Sequence, residues 1–225
     1  MISVIIPTLN EEDNIVRCIR SVGNEAGCEI IVADGGSTDR TLERAGACEG
    51  VRIVSSGRGR GRQMNKGASA AGGDVFLFLH ADTRLEQGWG RAVHSLLDNG
   101  SVVGGAFTFR VDSDRRRYRL IEFLVSLRCS IFKLPYGDQG IFVRRGIFES
   151  LGGYREVPLM EDVDLMGRLR EKGRIAILGK KAFTHHRRWE REGWVRASLQ
   201  NQMIMILYRL GRSPDALAKM YYRGR

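Results

Sequence analysis

No stretch of this sequence approaches the roughly 18 uninterrupted apolar residues that a membrane-spanning helix needs. The nearest, Leu120 to Leu134, is broken by Glu122, Arg128 and Lys133, and Met203 to Leu207 is short. A soluble or membrane-surface protein is expected instead. Proline is scarce, at 4 of 225 residues, while glycine reaches 28. Many sharp turns with few rigid breaks suit an α/β chain whose loops come close to a ligand. The four cysteines, Cys18, Cys28, Cys48 and Cys129, form no CxxC pair and have no metal-ligand spacing. Small buried thiols in a reducing cytoplasmic compartment are the simplest reading. No basic segment precedes the first apolar run, Ile2 to Ile6, and no small-residue cleavage site follows it, which argues against a signal peptide. Fixed-period repeats and low-complexity tracts are also absent.

What the chain has in excess is positive charge. Its 36 basic and 26 acidic side chains leave a formal +10, which suggests nucleotide phosphates, nucleic acid or an acidic lipid surface as partner. The first half alternates β-branched runs with amphipathic segments, the pattern of a mostly parallel sheet wrapped by helices. Strands are predicted over Ile2–Ile6, Glu29–Ala33, Val51–Ser55 and Val75–Leu79. Asn10 is a plausible cap for a helix whose Ile15, Ile19 and Val22 share one face. Further helices are expected over Thr41–Ala47 and Gln63–Ala71. Later come a strand at Val102–Arg110, a helix at Arg116–Cys129, and short strands at Ile141–Val143 and Ile175–Leu178. Helices at Val163–Lys172, Trp194–Leu210 and from Ser213-Pro214-Asp215 complete the reading.

Open α/β sheets bind ligands at the carboxyl ends of their strands, and polar residues gather there. His80-Ala81-Asp82 closes the apolar fourth strand, so His80 and Asp82 can share a face. A carboxylate there could hold Mg²⁺ or Mn²⁺ beside a diphosphate, or simply cap the turn. Gly57 to Gly67, with Arg58, Arg60, Arg62 and Lys66, can bring backbone and guanidinium groups to phosphate, although the P-loop pattern is missing. A solvated basic loop is the bland alternative. Met160-Glu161-Asp162-Val163-Asp164 places three carboxylates at a helix start, where one could act as a general base or where the dipole alone could favour them. Tyr136 to Gly140 is a turn or a pocket wall, with Asp138 and Gln139 as candidate acceptor contacts. His185-His186-Arg187-Arg188-Trp189 combines metal-capable, phosphate-binding and stacking groups, or is a solvated basic turn.

Taken in order, these segments resemble family 2 glycosyltransferases of the GT-A fold. The resemblance runs from Ser3-Val4-Ile5-Ile6-Pro7-Thr8-Leu9-Asn10-Glu11-Glu12 through Ile31-Val32-Ala33-Asp34-Gly35-Gly36-Ser37-Thr38-Asp39. It continues through Gly72-Gly73-Asp74 and His80-Ala81-Asp82 to Glu161-Asp162-Val163-Asp164-Leu165. Phe78 to Thr83 and Arg187-Arg188-Trp189 are similar to a small bacterial subgroup of the transferase 2 type. The resemblance implies a nucleotide-sugar donor, with Pro7, Thr8, Glu11 and Asp34 at the nucleoside pocket and Arg188-Trp189 similar to the Arg-Trp of a donor-side Gln-x-x-Arg-Trp segment; the basic loop at its strand end adds Arg62 and Lys66 as expected donor contacts. It implies Asp82 as metal ligand, with His80 either a second ligand or a neighbour of the first, and the Glu161-Asp162 pair as catalytic, with Asp162 the base of an inverting single displacement. Two positions depart from the family pattern. Gly35 replaces the second acid of Asp-Asp-Gly-Ser, which leaves UDP, GDP and other nucleotides open, and His80 replaces the first acid of Asp-x-Asp.

On this reading residues 1–225 form one domain, with a nucleotide-binding half (1–110), an acceptor half (111–190) and C-terminal helices (191–225). Trp194, Leu199, Met203, Ile206 and Leu210 can share a helical face near Arg196 and Arg209. Docking of that face on the protein's own core is expected. The alternative is a membrane surface on the cytoplasmic side, near a lipid-linked acceptor. Two competing functions remain. A sugar-phosphate nucleotidyltransferase would carry a Gly-rich loop after the first strand, where this chain has Thr8-Leu9-Asn10-Glu11-Glu12. A nucleic-acid-binding module would explain the charge but not the carboxylates, and no RNP, KH or helix-turn-helix pattern is present, so nucleic acid is not an expected partner.

Overall fold

The computed structural model describes all residues except 24, 26, 133, 224 and 225, and the side chains of 132 and 188 lie outside the described set as well. The first strand, β1 (Ile2–Thr8), is buried along its whole length. It lies between β2 (Cys28–Asp34) and β4 (Val75–Phe78), parallel to both. β3 (Val51–Ser55) pairs parallel with β2 at the edge. Such a strand must be apolar on both faces, which explains its unbroken hydrophobic run. Ile2, Val4 and Ile6 meet Ile15, Ile19 and Val22 of α1 (Ile15–Val22) and Trp89 and Val93 of α4 (Trp89–Leu97). Ile5 faces the other way, toward Met64 and Ala68 of α3 (Arg60–Ala70). Gly67 allows that close approach, because a Cβ there would collide with Ile5. α2 (Thr41–Gly46) packs beside β3.

Beyond β4 the sheet changes character. Its order is β3-β2-β1-β4-β7-β6-β8-β5, where β7 (Ile141–Arg144) runs antiparallel to both β4 and β6 (Val102–Val111). β8 (Arg174–Thr184) is parallel to β6, and the short β5 (Thr83–Leu85) closes the edge antiparallel to it. Helices α6 (Arg145–Ser150) and α7 (Glu161–Lys172) join α3 on one face of the sheet. Buried Ile204 and Met205 of α9 (Trp194–Arg209) and Leu217 of α10 (Pro214–Tyr222) cover that layer. A third cluster sets Tyr118 and Ile121 of α5 (Arg117–Phe132) on Phe109 and Val111, with Trp189 of α8 (Arg187–Glu192) and Trp194 against it.

Several local expectations are corrected. Asn10 is not a helix cap: its φ is 53°, its Oδ1 accepts the Thr38 N–H at 2.9 Å, and its own N–H donates to Ser37 Oγ at 2.9 Å. Asn14 occupies the cap position instead. β8 runs six residues past Leu178, because a register shift carries it past the charged Lys180-Lys181 to bury Ala182 and Thr184 between β6 and β5. α4, α6, α8 and β5 are further elements beyond those the sequence pattern predicts. The apolar face of Leu199, Met203, Ile206 and Leu210 points to solvent rather than to the core. All four cysteines are free thiols, two buried and two half-buried. Among the described residues no helix is long and apolar enough to cross a membrane.

Candidate active site

Two adjoining clefts open at the carboxyl edge of β1 and β4, of about 630 Å³ and about 660 Å³. They share Leu9, Glu11, Arg60, His80, Asp82 and Arg187. Pro7 and Thr8 from the end of β1 line the first, with Arg58, Arg60 and Arg62 at the start of α3. The turn at Tyr136 and Asp138, the start of α7, and Trp189 line the second.

The first cleft is basic on one side. Arg60 reaches Glu161 at 3.6 Å, and Arg62 pairs with Glu156 at 3.0 Å. Arg187 pairs with Glu11 and lies 3.8 Å from Asp82. The backbone of this cleft is braced by Gln63, whose Nε2 donates to the carbonyls of Thr8 (2.8 Å) and Ala33 (2.9 Å), tying α3 across two strands. A Cβ on Gly35 would stand 2.9 Å from the Gln63 amide carbon, so the glycine at that position and the glutamine are packed as a pair. That is the physical setting of the departure from Asp-Asp-Gly-Ser.

Asp34 does not line either cleft. Its carboxylate is buried and consumed by its own turn, accepting from the Gly36 N–H at 2.9 Å and Ser37 Oγ at 2.6 Å. Lys66 is likewise elsewhere, in a shallow groove with Ser56, Asn65 and Glu156. Gln139 belongs to the framework. It is buried, and its amide bonds the Phe107 carbonyl (3.0 Å), the Tyr136 N–H (3.2 Å) and Arg128 (3.0 Å). The side chain of Arg188 lies outside the described residues, whereas its neighbour Arg187 stands in both clefts. Gln63 is a cleft residue to which the sequence assigned no role, and Arg60 and Arg187 were read there only as members of basic segments at strand ends.

The second cleft gathers carboxylates. Glu161 and Asp162 open α7 behind Met160, whose φ of 71° is unusual for a residue with a side chain. Such a conformation costs on the order of 1–3 kcal/mol and persists where the surroundings enforce it. Asp162 Oδ2 accepts the Gly137 N–H at 2.6 Å and Oδ1 accepts the Val163 N–H at 2.8 Å, which fixes the carboxylate plane. Gly137 separates Asp162 from His80: a Cβ there would lie 2.9 Å from His80 Nε2 and 3.3 Å from Asp162 Oδ2. Burial and the nearby Arg60 push the His80 pKa down to about 4, against the pull of Asp82 and Asp162, so the imidazole is neutral at pH 7. Burial also raises Glu161, with Asp162 adding to the effect while Arg60 opposes it. Asp138 is raised to about 6 by burial, and Asp162 and Asp82 add to this while Arg128 and Arg60 pull it down. Its Oδ1 is buried without a hydrogen-bond partner among the described residues. Trp189 walls the cleft from an aromatic stack, 6.1 Å from both Phe109 and Tyr118.

A basic cleft of about 630 Å³ thus meets a carboxylate-rich one at a strand end. The model of the Glycosyl transferase family 2 family matches residues 3–152. The chain belongs to glycosyl transferase family 2. A PGL/p-HBAD biosynthesis glycosyltransferase of Mycobacterium bovis is 32% identical over 171 residues, covering 68% of this chain and 63% of that relative. The chain thus spans under two thirds of that protein's length. Among solved structures, S. aureus TarS 1–349 in complex with UDP-GlcNAc has a TM-score of 0.66 at 17% identity, over 82% of this chain and 58% of that one. Glucosyl-3-phosphoglycerate synthase from Mycobacterium tuberculosis, with Mn²⁺, UDP and glucosyl-3-phosphoglycerate, has a TM-score of 0.56 at 24% identity, over 80% and 70%. Both likenesses carry the GT-A fold. The family match ends before Glu161-Asp162, so any role for that pair rests on its geometry in this family 2 chain.

Proposed function

We propose that this chain transfers a glycosyl group from a nucleoside-diphosphate sugar to an acceptor hydroxyl, with inversion at the anomeric carbon. The observation that carries the reading is the junction of the two clefts at His80 and Asp82, arginines on one side and Asp162, Glu161 and Asp138 on the other. The donor diphosphate lies against Arg60, Arg62 and Arg187, where guanidinium forks match phosphate oxygens. Among the described residues no three His, Cys, Asp or Glu side chains cluster as a ready cation cage. A magnesium or manganese ion fits such a site when one carboxylate and substrate phosphates share the coordination, and Asp82 supplies that carboxylate. Bound there, the ion contributes charge neutralisation of the leaving diphosphate.

The acceptor enters the second cleft, with Asp138 and Trp189 as its walls. Asp162 takes the hydroxyl proton, the acceptor oxygen forms its bond to the anomeric carbon, and the bond from that carbon to the diphosphate oxygen breaks. One displacement inverts the centre. Glu161 holds Arg60 toward the leaving group and does not touch the reacting atoms. Neutral His80 adds no positive charge beside Asp162.

A melting-temperature screen of UDP-, GDP- and dTDP-sugars with Mg²⁺ or Mn²⁺ tests the proposal. At about one hundred times Kd, binding to the folded state adds about 2.7 kcal/mol, several degrees for a chain of this size. Pyrophosphate release from a nucleoside triphosphate and a sugar phosphate, with no response to any nucleotide sugar, would replace the proposal with nucleotidyl transfer.

A further inference from the structure

Helices α5 and α9 each carry apolar side chains on two opposite faces. On α5 the buried face holds Tyr118, Ile121 and Cys129. The opposite stripe is Leu120, Phe123, Leu124, Leu127 and Ile131, spaced as one face of a helix. On α9 the buried face holds Ala197, Ile204 and Met205, and the opposite stripe is Val195, Leu199, Met203, Ile206 and Leu210. Every member of the two outer stripes is between 46% and 77% exposed. Scattered exposed leucines are ordinary, but continuous stripes on two helices mark an interaction surface. The helices are tied together where Trp194, at the start of α9, packs on the cluster holding Tyr118 and Ile121.

The charge around these stripes identifies the occupant. α9 contains no acidic residue. The one acid of α5, Glu122, is buried beneath Arg110 and Arg119. Exposed Arg116, Arg117 and Arg119 border the first stripe, and exposed Arg196 and Arg212 border the second. An apolar face edged mainly by cations, with no exposed carboxylate on either helix and Asp114 and Asp215 exposed beyond their ends, suits an anionic lipid surface. A second copy of the chain suits it poorly, because a two-fold contact would set these arginines against themselves in a protein of charge +10.

We propose that α5 and α9 form a docking face that seats this chain on an anionic bilayer. The consequence for the site follows from α9 itself. Its inner side contributes Asn201, Ile204 and Met205 to the second cleft. Docking through the outer side therefore holds that cleft about one helix diameter, roughly 10 Å, from the lipid surface. An acceptor carried by a lipid would reach it there; this last step rests on the transferase reading, whereas the docking does not.

Flotation of the full chain with phosphatidylcholine vesicles, with and without phosphatidylglycerol, tests the docking. Binding is expected to the anionic vesicles and to fall with added salt. Phe123→Glu/Leu127→Glu on α5 and Leu199→Glu/Ile206→Glu on α9 are each expected to lower the bound fraction about tenfold or more. Unchanged melting temperature and nucleotide-sugar response would show both variants folded with an intact donor site. The proposal is overturned if the parent chain does not float with anionic vesicles, or if both double variants float as well as the parent. It is also overturned if the variants abolish a concentration-dependent dimer that never binds vesicles. A chain that floats but responds to no nucleotide sugar would leave the docking standing and remove the transferase reading.

Discussion

Asp138→Asn separates the chemistry of the second cleft from its stability. Asp138 titrates at about 6 in the folded chain against an ordinary 3.8, chiefly through burial. A raised folded pKa means that folding takes up a proton between those values, so stability falls as pH rises through that window. Above about pH 7 the full penalty applies, and the shift corresponds to about 3 kcal/mol at most. Asp138 as a whole residue is only half-buried, which reduces the figure toward about 1 kcal/mol. Asparagine has the same shape and no charge to desolvate. The variant is therefore expected to be about 1–3 kcal/mol more stable than the parent at pH 8, with the advantage gone below about pH 4, where both side chains are neutral. Urea titrations from pH 4 to 8 in metal-free buffer measure this directly. A difference that does not change with pH, or a variant less stable at pH 8, would show that the buried Asp138 charge carries no such penalty. If Asp138 also contacts the acceptor, turnover falls while stability rises, the trade-off expected of a functional group kept at a cost.

The remaining predictions concern neighbours of that group. Gly137→Ala would place a methyl 2.9 Å from His80 Nε2 and 3.3 Å from Asp162 Oδ2. Displacing the carboxylate by a fraction of an ångström should lower kcat about tenfold to a hundredfold with little change in donor KM, as steady-state kinetics would show. Gln139→Ala strips hydrogen bonds from the Phe107 carbonyl, the Tyr136 N–H and Arg128 in a buried turn. It should destabilise the chain by about 2–4 kcal/mol, read as a lower urea midpoint with an unchanged slope. Asp82→Ala should abolish the divalent-ion dependence of the nucleotide-sugar melting shift, and an unaltered metal response would move the cation site elsewhere.

The nucleotide-binding half of the fold was legible because its strands are parallel and buried on both faces. Ile2 to Ile6 and Val75 to Leu79 could be nothing but interior strands, and Ile15, Ile19 and Val22 set one helix face. The period of Trp89, Val93 and Leu97, all buried on α4, was present in the sequence too but was masked by the loop-like Gln87-Gly88 before it. Polar loop residues were harder to assign, because the same side chain can serve a ligand or its own backbone. Asp34 and Gln139 took the second course, and only the direction of each side chain decides that. On helices, a small offset was decisive. Arg187 reaches both clefts, and Arg60 reaches them where Lys66, more than one turn further along α3, cannot. The outer stripe of α5 escaped a periodicity reading because that helix is apolar on two sides, which cancels the amphipathic signal; on α9 the stripe was legible, but the side it faces was not.

In the proposed reaction Asp162 is the base and the arginine-lined cleft holds the donor. Its most direct test pairs two readouts on Asp162→Asn: turnover with an identified nucleotide sugar, and the melting shift that this donor produces. The amide keeps the shape of the carboxylate but cannot take a proton. Turnover should fall by on the order of 10²–10⁴ while the donor shift stays within error of the parent. Normal turnover in a folded Asp162→Asn chain would remove Asp162 as the base.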